Sequence, residues 1–158
     1  MKTIAFFGHR QIFNDYVIRE KLLSALKSEL VQEDIRFLIG CHGDFDELAL
    51  STCLYFKNNT NCNIEINVVL TNLSFLNKDE NGYSRADIYK NKGCETIFYD
   101  IERIYFKNRI TVSNKKMVDE SDLIICYVDM KAYKSGAKTA VSYALKQNKK
   151  VINLFCTG

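Results

Sequence analysis

Proline is absent from the 158 residues, and glycine occurs only seven times. In a chain so poor in glycine, few positions can take positive φ at low cost, so the places where glycine falls carry information. Histidine is scarcer than glycine, with only His9 and His42. No apolar stretch approaches the roughly 18 residues that span a bilayer, so no membrane partner is expected. The chain enters a short apolar run at once, without the charged and apolar regions of a secretion signal. The six cysteines, Cys41, Cys53, Cys62, Cys94, Cys126 and Cys156, include no C-x-x-C pair, and several sit within apolar runs. These absences predict a cytoplasmic protein with reduced, mostly buried thiols.

A strong charge of either sign is also missing. The net charge is +3, and Lys115–Lys116 and Lys149–Lys150 are the only basic doublets, neither interleaved with aromatics. Nucleic acid is therefore not an expected partner. A small anionic ligand needs only one or two well-placed cations, and this balance allows it.

What is present is core-forming material. Residues of the AVILMFWYC set make up 47% of the chain and charged residues 26%, enough for one domain with a sizeable core. Apolar runs at Ile4–Phe7, Ile35–Ile39, Ile64–Leu70, Thr96–Tyr99, Leu123–Val128 and Lys150–Phe155 predict strands. Helical spacing predicts helices over Tyr16–Leu30, over 44–57, from Ile104 or Thr111 to Glu120, and around Ala137–Leu145. Residues 72–95 are more polar and read as an excursion with one short helix. Continuous rather than alternating apolar strands belong to a parallel sheet buried on both faces. The expected fold is a doubly wound, Rossmann-like α/β domain over residues 1–158, with about five to six strands.

In such sheets, ligands bind beyond the carboxyl ends of the strands, where the topology switches. That rule selects three segments. Gly8-His9-Arg10 follows the first strand; glycine permits a sharp turn, and arginine offers a charged fork for phosphate or carboxylate. Gly40-Cys41-His42-Gly43-Asp44-Phe45-Asp46-Glu47 joins the second strand to the second helix and offers backbone N–H groups to an anion. Asp44 serves equally well there as a helix cap, and the acidic side chains suit a sugar hydroxyl better than a phosphate. Ser135-Gly136-Ala137 supplies a hydroxyl and a helix N-terminus before the last helix. Arg109 and Asn114 join the site if the start of their helix faces the cleft. Cys41, His42 and Asp44 lack a standard metal spacing, and adjacent side chains such as Cys41 and His42 tend to point apart. Neither a metal nor another cofactor is expected.

Taken in order, these segments resemble the SLOG superfamily, the Rossmann-like group that includes the lonely-guy proteins and DprA/Smf, and most closely its small YpsA-like branch. The matching pieces are Phe6-Phe7-Gly8-His9-Arg10 and Gly40-x-x-Gly43-Asp44-Phe45-Asp46-x-x-Ala49. Asn114-x-x-Met117-Val118-Asp119-x-Ser121-Asp122 and Ser135-Gly136-Ala137-x-x-Ala140-x-x-Tyr143-Ala144 complete the pattern. The match runs from residue 4 to residue 155 and is thinnest over 72–95.

The resemblance implies a pocket for nucleotides or their derivatives and frequent homodimers, so a homo-oligomer is expected as an option. It also implies a choice between sensing and cleavage. Lonely-guy-like enzymes cleave the N-glycosidic bond of nucleoside monophosphates, using an arginine and a glutamate from a P-G-G-x-G-T-x-x-E loop. Here the corresponding stretch, Ser135-Gly136-Ala137-Lys138-Thr139-Ala140-Val141, holds no acid. Cleavage through a cationic sugar needs a carboxylate near the anomeric carbon, which only Asp44, Asp46 or Glu47 remains to supply. The chain is therefore expected to bind a nucleotide-type ligand as a sensor or sequestering protein rather than to catalyse. In that reading Gly8, Arg10, Gly43, Ser135 and Gly136 form the phosphate end, and Asp44 or Asp46 holds a ribose hydroxyl. The alternatives are a phosphoribohydrolase-like N-glycosidase and a protein-interaction module with a vestigial pocket.

Overall fold

The computed structural model describes residues 1–29, 34–99, 101–132 and 134–155. Among the described residues there are six strands: β1 (Lys2–Gly8), β2 (Ile35–Ile39), β3 (Ile64–Val69), β4 (Glu95–Ile97), β5 (Leu123–Tyr127) and β6 (Lys150–Asn153). They alternate with five α-helices: α1 (Asp15–Glu29), α2 (Asp44–Asn58), α3 (Arg85–Asn91), α4 (Arg109–Glu120) and α5 (Gly136–Lys146). All strand pairs are parallel, in the order β4-β3-β2-β1-β5-β6. This is a Rossmann-like, doubly wound α/β fold. The chain builds outward from β1 in one direction through β4, then returns to the other side of β1 with β5. The topological switch therefore lies between β1 and β5.

The pleat of β1 shows how both faces are filled. Ile4 and Phe6 point into one core with Ile18, Leu22 and Leu26 of α1 and with Phe45 and Ala49 of α2. Ala5 and Phe7 point to the opposite core, with Met117 and Val118 of α4 and Ala140, Val141 and Ala144 of α5. Each fully buried Leu, Ile or Phe contributes roughly 1.5–3 kcal/mol, so a strand buried on both faces is anchored firmly. The start of β5 is tied to β1 by polar groups: the Thr3 N–H donates to Asp122 Oδ2 at 2.9 Å, and the Asp122 N–H to the Thr3 carbonyl at 2.8 Å.

Several boundaries differ from the sequence reading. The fourth strand is a three-residue edge, Glu95–Ile97, because its β3 neighbour pairs only at Asn67–Val69. β6 stops at Asn153, whose side chain bonds the Val128 N–H and carbonyl instead of extending the ladder to Phe155. The helix expected from Ile104 or Thr111 begins at Arg109, after two short 3₁₀ turns at Ile101–Arg103 and Phe106–Asn108. The polar excursion holds a 3₁₀ turn at Leu73–Leu76 and then α3, whose start carries a reciprocal cap between Ser84 and Asp87. The expected helix end at Leu30, and Cys156, lie outside the described residues.

Cys53, Cys94 and Cys126 are buried, Cys41 and Cys62 half-buried, and all five are free thiols. Among the described residues, no helix is long and apolar enough to cross a membrane.

Candidate functional site

Near the switch point a cleft of about 370 Å³ opens beyond the end of β1, walled by the segments that follow β1, β2 and β5 and by α4. Gly8, His9 and Arg10 line one part of it, and Ser135, Gly136 and Ala137 another. Gly40 and Asp46 reach it from the β2–α2 segment, and Asn114 from α4. Thus nine residues far apart in sequence stand along one cavity. Phe6, Phe7, Ile110 and Met117 supply apolar walls that the strand-end rule did not single out.

The β1 turn is held from both sides. The His9 N–H donates to the Tyr127 carbonyl at 3.3 Å, and the ring Nε2 accepts from the Asp129 N–H at 2.9 Å. Edge contacts from Tyr127 and Phe155 pack the same ring. His9 thus latches the β1 and β5 loops together at the cleft wall. Arg10 is exposed and forms no ion pair among the described residues. Its charge acts on two groups of the next loop. It adds to burial in holding the His42 imidazole neutral, and it opposes the burial that raises Asp46.

The β2–α2 segment differs from expectation in three ways. First, the α2 N-terminus does not offer its leading N–H groups to a ligand: those of Asp44 and Phe45 donate to the carbonyls of Arg10 and His9, at 2.8 and 3.4 Å. Second, Gly43 rather than Asp44 is the cap residue, and neither lines the cleft. Asp44 Oδ2 instead accepts from the Ile12 N–H at 3.2 Å, stitching the β1–α1 loop to α2. Third, the side chains of Cys41 and His42 approach, with Sγ 3.9 Å from Nε2, because the turn curls back toward the end of β3. There Thr71 Oγ1 lies 2.6 Å from the same nitrogen, and the Cys41 thiol donates to the Val69 carbonyl. Burial, reinforced by Asp46, pushes the Cys41 thiol up to about 11, so this neighbour pair holds no thiolate nucleophile.

Asp46 is the acidic group in the cleft. Its Oδ2 accepts from the His42 N–H at 2.8 Å, while burial raises its carboxyl from 3.8 to about 6. Glu47 turns away and lines a neighbouring groove.

Ser135 caps α5, its hydroxyl accepting from the Lys138 N–H at 3.1 Å. Gly136 and Ala137 follow as the first two helical residues, where backbone N–H groups have no partner within the helix. No acceptor for either appears among the described residues. Two unpaired N–H groups at the positive end of an eleven-residue helix favour an anion. Asn114 has no side-chain hydrogen bond among the described residues and is likewise available.

Arg109 is not in the cleft. Its Nε donates to the Ile104 carbonyl at 3.1 Å and fixes the turn that precedes α4. The remaining signature residues of that helix also have structural work. Met117 and Val118 are core, Asp119 accepts from the Tyr143 hydroxyl, and Ser121 donates to the Met117 carbonyl.

Fold and site together define a parallel α/β protein with an anion-favouring cleft at its switch point. No protein-family model matches the chain, and no curated protein is similar to it.

Proposed function

We propose that this is a cytoplasmic protein of the SLOG type that binds a nucleotide or nucleotide-derived ligand in the β1–β5 cleft, as a sensor or sequestering protein. The observation that carries the reading is the cation of Arg10, which has no ion pair among the described residues, on the same cleft as the N–H groups of Gly136 and Ala137, which have no acceptor among them. Phosphate is favoured by both, and the apolar walls at Phe7, Ile110 and Met117 suit a base. Asp46 takes the sugar-hydroxyl role, since Asp44 is committed to the Ile12 N–H. In a thermal-shift panel of nucleoside mono-, di- and triphosphates, at least one raises the melting temperature. Arg10→Ala, at an exposed position, weakens that ligand about tenfold or more while the free protein melts unchanged. No stabilising nucleotide, or one indifferent to Arg10→Ala, would sink the reading.

One observation favours a second reading, N-glycoside cleavage. The cleft does contain a carboxyl group, Asp46, and its raised pKa suits acid–base work near neutral pH. Release of free base from nucleoside monophosphates, lost in Asp46→Asn with binding retained, is the expected result for an enzyme. Glu47, turned to the neighbouring groove, has no part in it. An open cleft gives no support to a vestigial pocket.

A further inference from the structure

Beyond the end of β2, a groove of about 730 Å³ runs between α2 and α3. Gly40 and Asp46 line both the cleft and the groove, so the two cavities are neighbours. Gly40 packs closely on Asp46 at this shared edge. A Cβ at residue 40 would stand 2.9 Å from Asp46 Oδ2, the oxygen already held by the His42 N–H.

The chemistry of the groove is that of a second, related half-site. Leu50 and Leu54 of α2 and Ile88 and Tyr89 of α3 give the groove apolar walls. Ile88 is 52% exposed, an apolar surface that gains by being covered. Arg85 and Lys92 provide two cations, neither ion-paired among the described residues. The Arg85 guanidinium is held 3.8 Å over the Phe75 ring, so its position is set before any anion arrives. Ser51 and Glu47 at the edge can bond sugar hydroxyls.

We propose that the ligand is a dinucleotide, two nucleosides joined through a phosphate bridge, with one half in the β1–β5 cleft and the other passing Gly40 and Asp46 into the α2–α3 groove. The inference rests on the nucleotide reading of the cleft. A cavity of about 370 Å³ lies near the lower end of small-molecule sites and takes one nucleotide; the groove supplies room for the second. The bridge runs past Asp46, whose carboxylate charge Arg10 counters.

Titration calorimetry on the full chain with the adenosine, guanosine, cytidine and uridine monophosphates, and with their symmetric pyrophosphate-linked dinucleotides, tests this. For the base that binds, the dinucleotide binds about tenfold or more tightly than the monophosphate. Ile88→Glu and Arg85→Glu, both at exposed positions, erase that gain and leave monophosphate affinity unchanged. Equal affinities in the wild type, or a gain that persists in both variants, overturn the dinucleotide inference and leave the cleft reading standing. Failure of every monophosphate and every dinucleotide overturns both.

Discussion

The α-carbon of Arg10 stands where a side chain on Gly43 would begin: a Cβ there would lie 2.5 Å from it and 3.0 Å from the Arg10 carbonyl oxygen. The two loops that follow β1 and β2 are therefore in backbone contact, and the Asp44 N–H bonded to that carbonyl locks them in register. Gly43 also holds φ +153° and ψ −169°, a conformation essentially restricted to glycine. Gly43→Ala is expected to cost about 2 kcal/mol or more, from strain and collision together. Urea unfolding reads the loss. An unchanged midpoint would mean the loops are not in contact.

Gly8 is constrained by an aromatic ring instead of a backbone. A Cβ at residue 8 would come within 2.2 Å of the Phe45 ring, which is fully buried and stacked on Tyr127. The ring has no space to retreat into, so Gly8→Ala is expected to destabilise by about 1–3 kcal/mol. Adding Phe45→Leu relieves the clash, and the double variant is less destabilised than the sum of the singles by about 1 kcal/mol. Strict additivity in denaturant titrations would contradict the packing.

Asp46 makes stability depend on pH with a defined sign. Its carboxyl titrates at about 6 in the folded chain against an ordinary 3.8, so between these values the unfolded chain releases a proton that the folded chain retains. The contribution of this group is greatest below about pH 4, declines as pH rises toward 6, and is flat above. Over that interval the wild type loses of the order of 2 kcal/mol relative to Asp46→Asn. Melting both proteins from pH 4 to pH 7 checks it; parallel curves would show that the carboxyl is not perturbed.

Much of the fold is written locally. The continuous runs at Ile4–Phe7 and Leu123–Val128 could belong only to strands covered on both faces, and Ile18, Leu22 and Leu26 mark one buried helical stripe. The lining of the cleft was legible where a glycine closes a strand, as at Gly8, or a serine opens a helix, as at Ser135. It was illegible where a side chain's partner is remote: Asp44 reads as a cap or a sugar ligand until Ile12 is seen to occupy it. Arg109 reads as a cleft cation until the Ile104 carbonyl claims it. The groove wall from Arg85 to Lys92 reads locally as no more than one short helix in a polar excursion, which Ser84 and Asp87 mark with a capping box.

By itself, then, the order of residues determined the class of fold, the parallel sheet and the three turns that end its strands, because periodicity and turn chemistry act over a few neighbours. Only the tertiary structure decided that β5 lies beside β1, which opens the cleft at that switch. It also decided that the leading N–H groups of α2 are taken by His9 and Arg10 while those of Gly136 and Ala137 in α5 find no acceptor among the described residues. Those outcomes depend on which backbone groups meet across more than 30 residues of chain. A hydrogen bond at that range is set by the packing of the whole sheet and leaves no mark on the local pattern.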